Sequence, residues 1–148
     1  MGNRTGSWTA LTVANIVFVV SMLLHGIDHS VQDRGVGALS TEVFVGGTVL
    51  AVMALGALAL TLRRDRRAPL VAAFVGLWTA VAVTSAHLLP HWSAFSDPYQ
   101  DLSLGPYSWG VVIAEILTGA IFGIVGLMTL REQRSGQPSS SPAQPAAG

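Results

Sequence analysis

The sequence predicts an all-α integral membrane protein, a four-helix bundle with both termini on the cytoplasmic side. Three observations carry this: long stretches without a charged side chain, a composition too apolar for a solvated globule, and arginines gathered on alternate connections. Residues 5–24, 43–62 and 68–86 hold no ionisable group, and each run approaches the roughly 20 residues that cross about 30 Å of hydrocarbon at 1.5 Å per residue. A fourth stretch, 107–130, carries one charge, Glu115, and is long enough to cross with some tilt. At 51% hydrophobic and 11% charged residues, with a mean hydropathy of +0.54, the 148-residue chain has too little polar surface for a soluble domain.

The elements follow in order. Helix one, about 7–29, comes after Arg4 and so resembles a secretory signal. Its apolar run is longer than a signal core, and no small-x-small cleavage site follows before His25, so it is expected to remain in the mature protein. Helices two, three and four are expected at about 42–62, 68–89 and 107–130, completing a bundle over residues 1–135. Residues 136–148 (GQPSSSPAQPAAG) contain no large apolar side chain and are expected to form a disordered cytoplasmic tail.

Orientation rests on arginine, because the chain has no lysine. Arg63, Arg64, Arg66 and Arg67 crowd the link between helices two and three, Arg131 and Arg134 follow helix four, and Arg4 precedes helix one. Of the other two links, the first has Arg34 as its only base and the second has no base, only the acids Asp97 and Asp101. The positive-inside rule then makes this a multi-pass protein of the cell membrane with both termini cytoplasmic. Abundant Ala, Gly, Val and Arg without lysine also suggests a GC-rich coding genome.

Helices associate in lipid through small residues and buried polar contacts. Helix four places Glu115, Gly119, Gly123 and Gly126 on one face, helix three Gly76, Ala80, Thr84 and His87, and helix two Glu42, Gly46, Met53 and Ala57. Counting from the cytoplasmic ends, His25, His87 and Glu115 lie about 25, 30 and 24 Å along their helices. His29, His91 and Glu42 lie roughly one turn further out. The matched depths require helices one and three to be neighbours, and residues 92–106, with Phe95 and Tyr99, form an interfacial segment that can act as a lid.

The four histidines are two pairs, His25 and His29 in HGIDH and His87 and His91 in HLLPH. Two imidazoles at i and i+4 project from one helical face and can reach one ion. Asp28 can ligate or hold an imidazole in its tautomer. Pro90 disfavours helical backbone at Leu89, which is expected to leave His91 beyond the helix end. A carboxylate in hydrocarbon costs roughly 2.5 kcal/mol, so Glu115 needs a partner, for which His25 and His87 are the candidates. The expected site is therefore a transition-metal site of His25, His29, His87, His91 and Glu115, completed or tuned by Asp28 or Glu42. Zinc, iron and copper all suit imidazole and carboxylate donors, while the absence of cysteine excludes thiolate sites and iron–sulfur clusters. Met22 offers copper a soft ligand, although methionine in a membrane helix is usually packing. The Glu-x-x-His pairs of di-metal carboxylate bundles are missing.

Two other readings stay open. Haem b can use His25 and His87 as axial ligands. Alternatively the polar groups only orient the bundle, as in a structural or accessory subunit docking a membrane-protein partner or a second copy. Interfacial histidines often bond only headgroups or backbone carbonyls, and Glu115 can be a protonated hydrogen-bonding link between helices. Binding, sensing or redox chemistry is favoured over conduction, because helix four offers only Thr118 and Thr129 below Glu115. The residues leave open whether the chain is an enzyme. No phosphate-binding loop, dinucleotide fingerprint or hydrolase elbow is present, and the RRDRR run at 63–67 reads as a topology and anionic-lipid signal rather than a nucleic-acid surface.

Overall fold

The computed structural model describes residues 4–31 and 40–135. The described residues form four α-helices, α1 (Arg4–Val31), α2 (Thr41–Leu62), α3 (Ala68–His87) and α4 (Pro106–Ser135), and a 3-10 turn at Tyr99–Asp101 between α3 and α4. All four are long and apolar enough to cross a membrane. The link bearing Arg34 and the tail expected at 136–148 lie outside the described residues.

Local chemistry sets the helix ends. Ser40 stands in extended backbone ahead of α2 and its Oγ accepts from the Val43 N–H at 3.2 Å, satisfying one of the orphan donors of the first turn. The turn into α3 passes through Arg64 at φ 52°, and the Asp65 carboxylate accepts from the Arg67 N–H at 2.8 Å. Pro69 then occupies the first turn of α3, where its missing N–H costs nothing. The far end of α3 departs from the expected 68–89. The helix stops at His87, with Leu88 donating back to the Thr84 carbonyl at 2.9 Å, because Pro90 removes the helical option at Leu89. In contrast, α4 runs to Ser135, five residues past its apolar stretch.

Around the bundle each helix touches its sequence neighbours, and α4 closes the ring against α1. Helices α1 and α3 therefore stand on a diagonal, which corrects the expectation that they are adjacent. Equal depth places two groups at one level without saying which helices lie side by side.

The closest pair is α3 with α4. A Cβ added at Gly76 would fall 2.5 Å from both the Gly119 carbonyl oxygen and the Gly123 nitrogen, and one at Gly126 would fall 2.6 Å from the Ala73 nitrogen. These glycines put backbone against backbone, the contact that replaces the hydrophobic effect between helices in lipid. The apolar core includes Leu11, Phe18, Met22, Ala57, Val75 and Phe122. The rings of Phe18 and Phe122 stack at 5.5 Å, and Met22 packs with them as an apolar side chain.

Candidate metal centre

Helical spacing brings the first two histidines together: His25 and His29, one turn apart on α1, have ring centroids 4.7 Å apart. Across the diagonal, His87 ends α3 with its ring 5.0 Å from that of His25 and 5.4 Å from that of His29. One nitrogen from each of the three lies within 4.8 Å of the others, an arrangement compatible with a metal ion. Bonds of about 2.0–2.1 Å set tetrahedral ligand atoms about 3.4 Å apart, so side-chain movements of about 1 Å close the set.

Two of the three rings have their Nδ1 engaged by a group outside the histidine cluster. His25 Nδ1 lies 2.5 Å from Glu115 Oε2, with both side chains buried, so α4 answers α1 through the carboxylate expected to need a partner. His87 Nδ1 donates to the Asp97 backbone carbonyl at 3.0 Å, and a carbonyl only accepts, so the hydrogen sits on Nδ1 and Nε2 carries the lone pair. An outer acceptor that fixes tautomer and ring orientation accompanies nearly every metal-ligating histidine.

The segment 92–106 is built onto this end of the bundle. The Asp97 N–H donates to the Ala86 carbonyl at 2.8 Å, Trp92 Nε1 donates to the Ser85 carbonyl at 2.7 Å, and Ser40 Oγ of the α2 cap donates to the Ala94 carbonyl at 3.2 Å. Anchored in this way, the chain turns at Pro98 and inserts Tyr99, fully buried, among the histidines. The Tyr99 ring lies 4.6 Å from that of His87, 6.1 Å from that of His25 and 6.2 Å from that of His29. Its hydroxyl is 2.9 Å from His25 Nε2. The two contacts are linked through the ring: where Nδ1 donates to the Glu115 carboxylate, Nε2 is left to accept from the phenol.

Of the residues singled out in the sequence, the structure brings together His25, His29, His87 and Glu115. Glu115 touches the cluster through the outer nitrogen of His25 and lies outside the group of converging nitrogens. Asp28 is buried beside them and accepts from Ser108 Oγ of α4 at 3.1 Å. His91 and Glu42 are exposed and stand apart from the converging group. His91 lies past the proline-limited end of α3, and Glu42 lies at the exposed first turn of α2, although Met53 and Ala57 further along the same face do pack against the core.

Sequence reasoning treated Tyr99 only as an interfacial aromatic and passed over Ser108. Nothing in the spacing of Tyr99 marks it, because its position depends on backbone hydrogen bonds between a loop and the end of α3. No family model matches the chain, and neither a curated protein nor a solved structure matches it.

Proposed function

We propose that this chain is a small multi-pass membrane protein that holds one transition-metal ion between His25, His29 and His87, with Glu115 and the Asp97 carbonyl orienting two of the rings. The observation that carries the reading is convergence: three of the four histidines, from two helices on a diagonal, present nitrogens within 4.8 Å of one another at one end of a bundle of apolar helices. Zinc, iron and copper all accept such donors. The arginine distribution sets this end outside, with both termini cytoplasmic, so the site serves binding, sensing or redox chemistry at the outer face. Conduction fits less well, because about 10 Å below His25 and Glu115 the fully buried Phe18 and Phe122 rings fill the bundle. Haem is also a weaker reading, since a macrocycle needs an open plane between its axial ligands, whereas His29 and Tyr99 pack against both His25 and His87.

One observation favours a structural alternative: Glu115 and Tyr99 satisfy both nitrogens of His25, and a satisfied buried network can fix a bundle by itself. The test is metal content of protein purified without a His-tag. On the order of one ion per chain is expected in the wild type and in His91→Ala, with loss in the His25→Ala/His87→Ala double variant. Equal metal in wild type and double variant, or none in either, leaves the structural reading. For the orientation, a reporter fused after Arg134 should read as cytoplasmic and one inserted at Gly37 as external; the opposite pattern reverses the site's side.

A further inference from the structure

We propose that Tyr99 is the fourth ligand of this site, binding as a phenolate, and that it gives the centre the donor set of an oxidised, redox-active ion such as copper(II) or iron(III). The inference rests on the metal reading above and goes beyond it by naming a ligand the histidine pattern does not contain and the class of ion that ligand suits.

The argument begins at His25. Its Nδ1 is engaged by Glu115, which leaves Nε2 for an ion, and that nitrogen already faces the Tyr99 hydroxyl 2.9 Å away. An ion seated on Nε2 takes the place of the phenolic proton. Tyr99 then either joins the ion or withdraws from it.

Withdrawal is the costly course. The ring is fully buried, lies against His87 at 4.6 Å and stands nearly perpendicular to Trp109 at 5.7 Å. Two residues earlier the chain is fastened to the end of α3 by the Asp97 N–H, and the carbonyl of the same residue holds His87. Moving Tyr99 out would therefore loosen the acceptor that orients another ligand. Staying requires only the loss of one proton to the outer solution per ion bound, with the ion–oxygen bond formed as the O–H bond breaks. No electron moves in this step.

The geometry accommodates it. Two cis ligands with bonds of about 2.0–2.1 Å lie about 2.9 Å apart in a right-angled geometry and about 3.4 Å apart in a tetrahedral one, which brackets what a small shift of the phenol from its present 2.9 Å would give. A phenolate is a hard, anionic oxygen donor. Added to three neutral imidazoles, it stabilises the higher charge of an oxidised ion, and nitrogen and oxygen donors in tetragonal arrangement suit copper(II).

The experiment is a copper(II) titration of the untagged, detergent-solubilised protein, following bound copper by elemental analysis and the visible phenolate-to-copper charge-transfer band by absorption. Tyr99→Phe keeps the ring and removes only the oxygen. A visible band in the wild type that is lost in Tyr99→Phe, with copper still bound through the histidines, is the expected result. Copper uptake without such a band, or with a band undiminished in Tyr99→Phe, overturns the tyrosine ligand and leaves the histidine site standing. No copper uptake by the wild type overturns the tyrosine ligand outright, and zinc or iron content then decides the histidine site separately. Should Tyr99→Phe fail to fold, resonance Raman on the copper-loaded wild type decides: enhanced phenolate vibrations support the ligand, and their absence overturns it.

Discussion

Helices α3 and α2 are both apolar enough to span a membrane, yet 44% of the apolar span of α3 is buried in the bundle against 11% of that of α2. The difference comes from what each presents to its neighbours. Gly76 of α3 meets Gly119 and Gly123 of α4 at backbone distance, whereas an added Cβ at Gly47 or Gly56 of α2 would find nothing within 4 Å among the described residues. Because lipid chains are as apolar as leucine, hydrophobicity alone does not press α2 inward. The converging histidines and Glu115 lie on α1, α3 and α4, so the candidate site stands on the tightly joined part of the molecule, while α2 contributes the Ser40 cap that holds segment 92–106.

The largest effect should come from separating α3 and α4. Gly76→Ala would set a methyl 2.5 Å from backbone atoms of Gly119 and Gly123, neither of which can turn aside as a side chain would. A loss of about 1–3 kcal/mol, the usual cost of overpacking, is expected. Gly56→Ala on α2 meets no neighbour and should be neutral or stabilising by up to about 1 kcal/mol through helix propensity. Unfolding in mixed micelles measures both. Equal effects at the two positions would remove the contrast between the helices.

The next effect concerns the site. Glu115→Ala leaves His25 Nδ1 without its acceptor, and loss of such an outer partner typically lowers metal affinity 10–100-fold. Chelator competition should show that drop, with a smaller one for Glu115→Gln, whose amide oxygen can still accept. An unchanged affinity in Glu115→Ala would mean that the carboxylate serves only helix packing.

These two interfaces were unequally legible in the sequence. The helices and the glycine face of α4 could be read directly, because apolar run length and the spacing of small residues express the physics of the membrane itself. The pairing of His25 with Glu115 followed from depth counting, since a carboxylate at that level needs a partner. The ring order of the helices could not be read, as four apolar rods of similar length fit several arrangements and the choice falls to backbone contacts such as Gly76 on Gly123. Pro90 already signalled that His91 leaves the helix. The face starting at Glu42 held at its inner end, where Met53 and Ala57 pack against the core, and failed at Glu42, which sits in the exposed first turn of α2. Tyr99 was invisible as a site residue because its place is set by hydrogen bonds of Asp97 and Ser40, not by any periodicity.

The smallest effect tests how α2 is held at all. Asn15 of α1 donates through Nδ2 to Thr61 Oγ1 of α2 at 3.0 Å, and Thr61 in turn donates to its own Ala57 carbonyl at 2.8 Å. Buried side-chain hydrogen bonds between membrane helices average about 0.6 kcal/mol by double-mutant cycle. Here even that is offset, because Asn15 Oδ1 is buried without a partner among the described residues and replacing an unsatisfied amide by an apolar side chain of similar size recovers part of its desolvation cost. Asn15→Leu should therefore shift stability by about 0.6 kcal/mol or less, and the Asn15/Thr61 double-mutant cycle should return a coupling of the same size. A coupling above about 2 kcal/mol would exceed what such bonds ordinarily supply and would make this polar pair, rather than the apolar contacts of Ala54 and Ala57, the principal tie between α2 and the rest of the bundle.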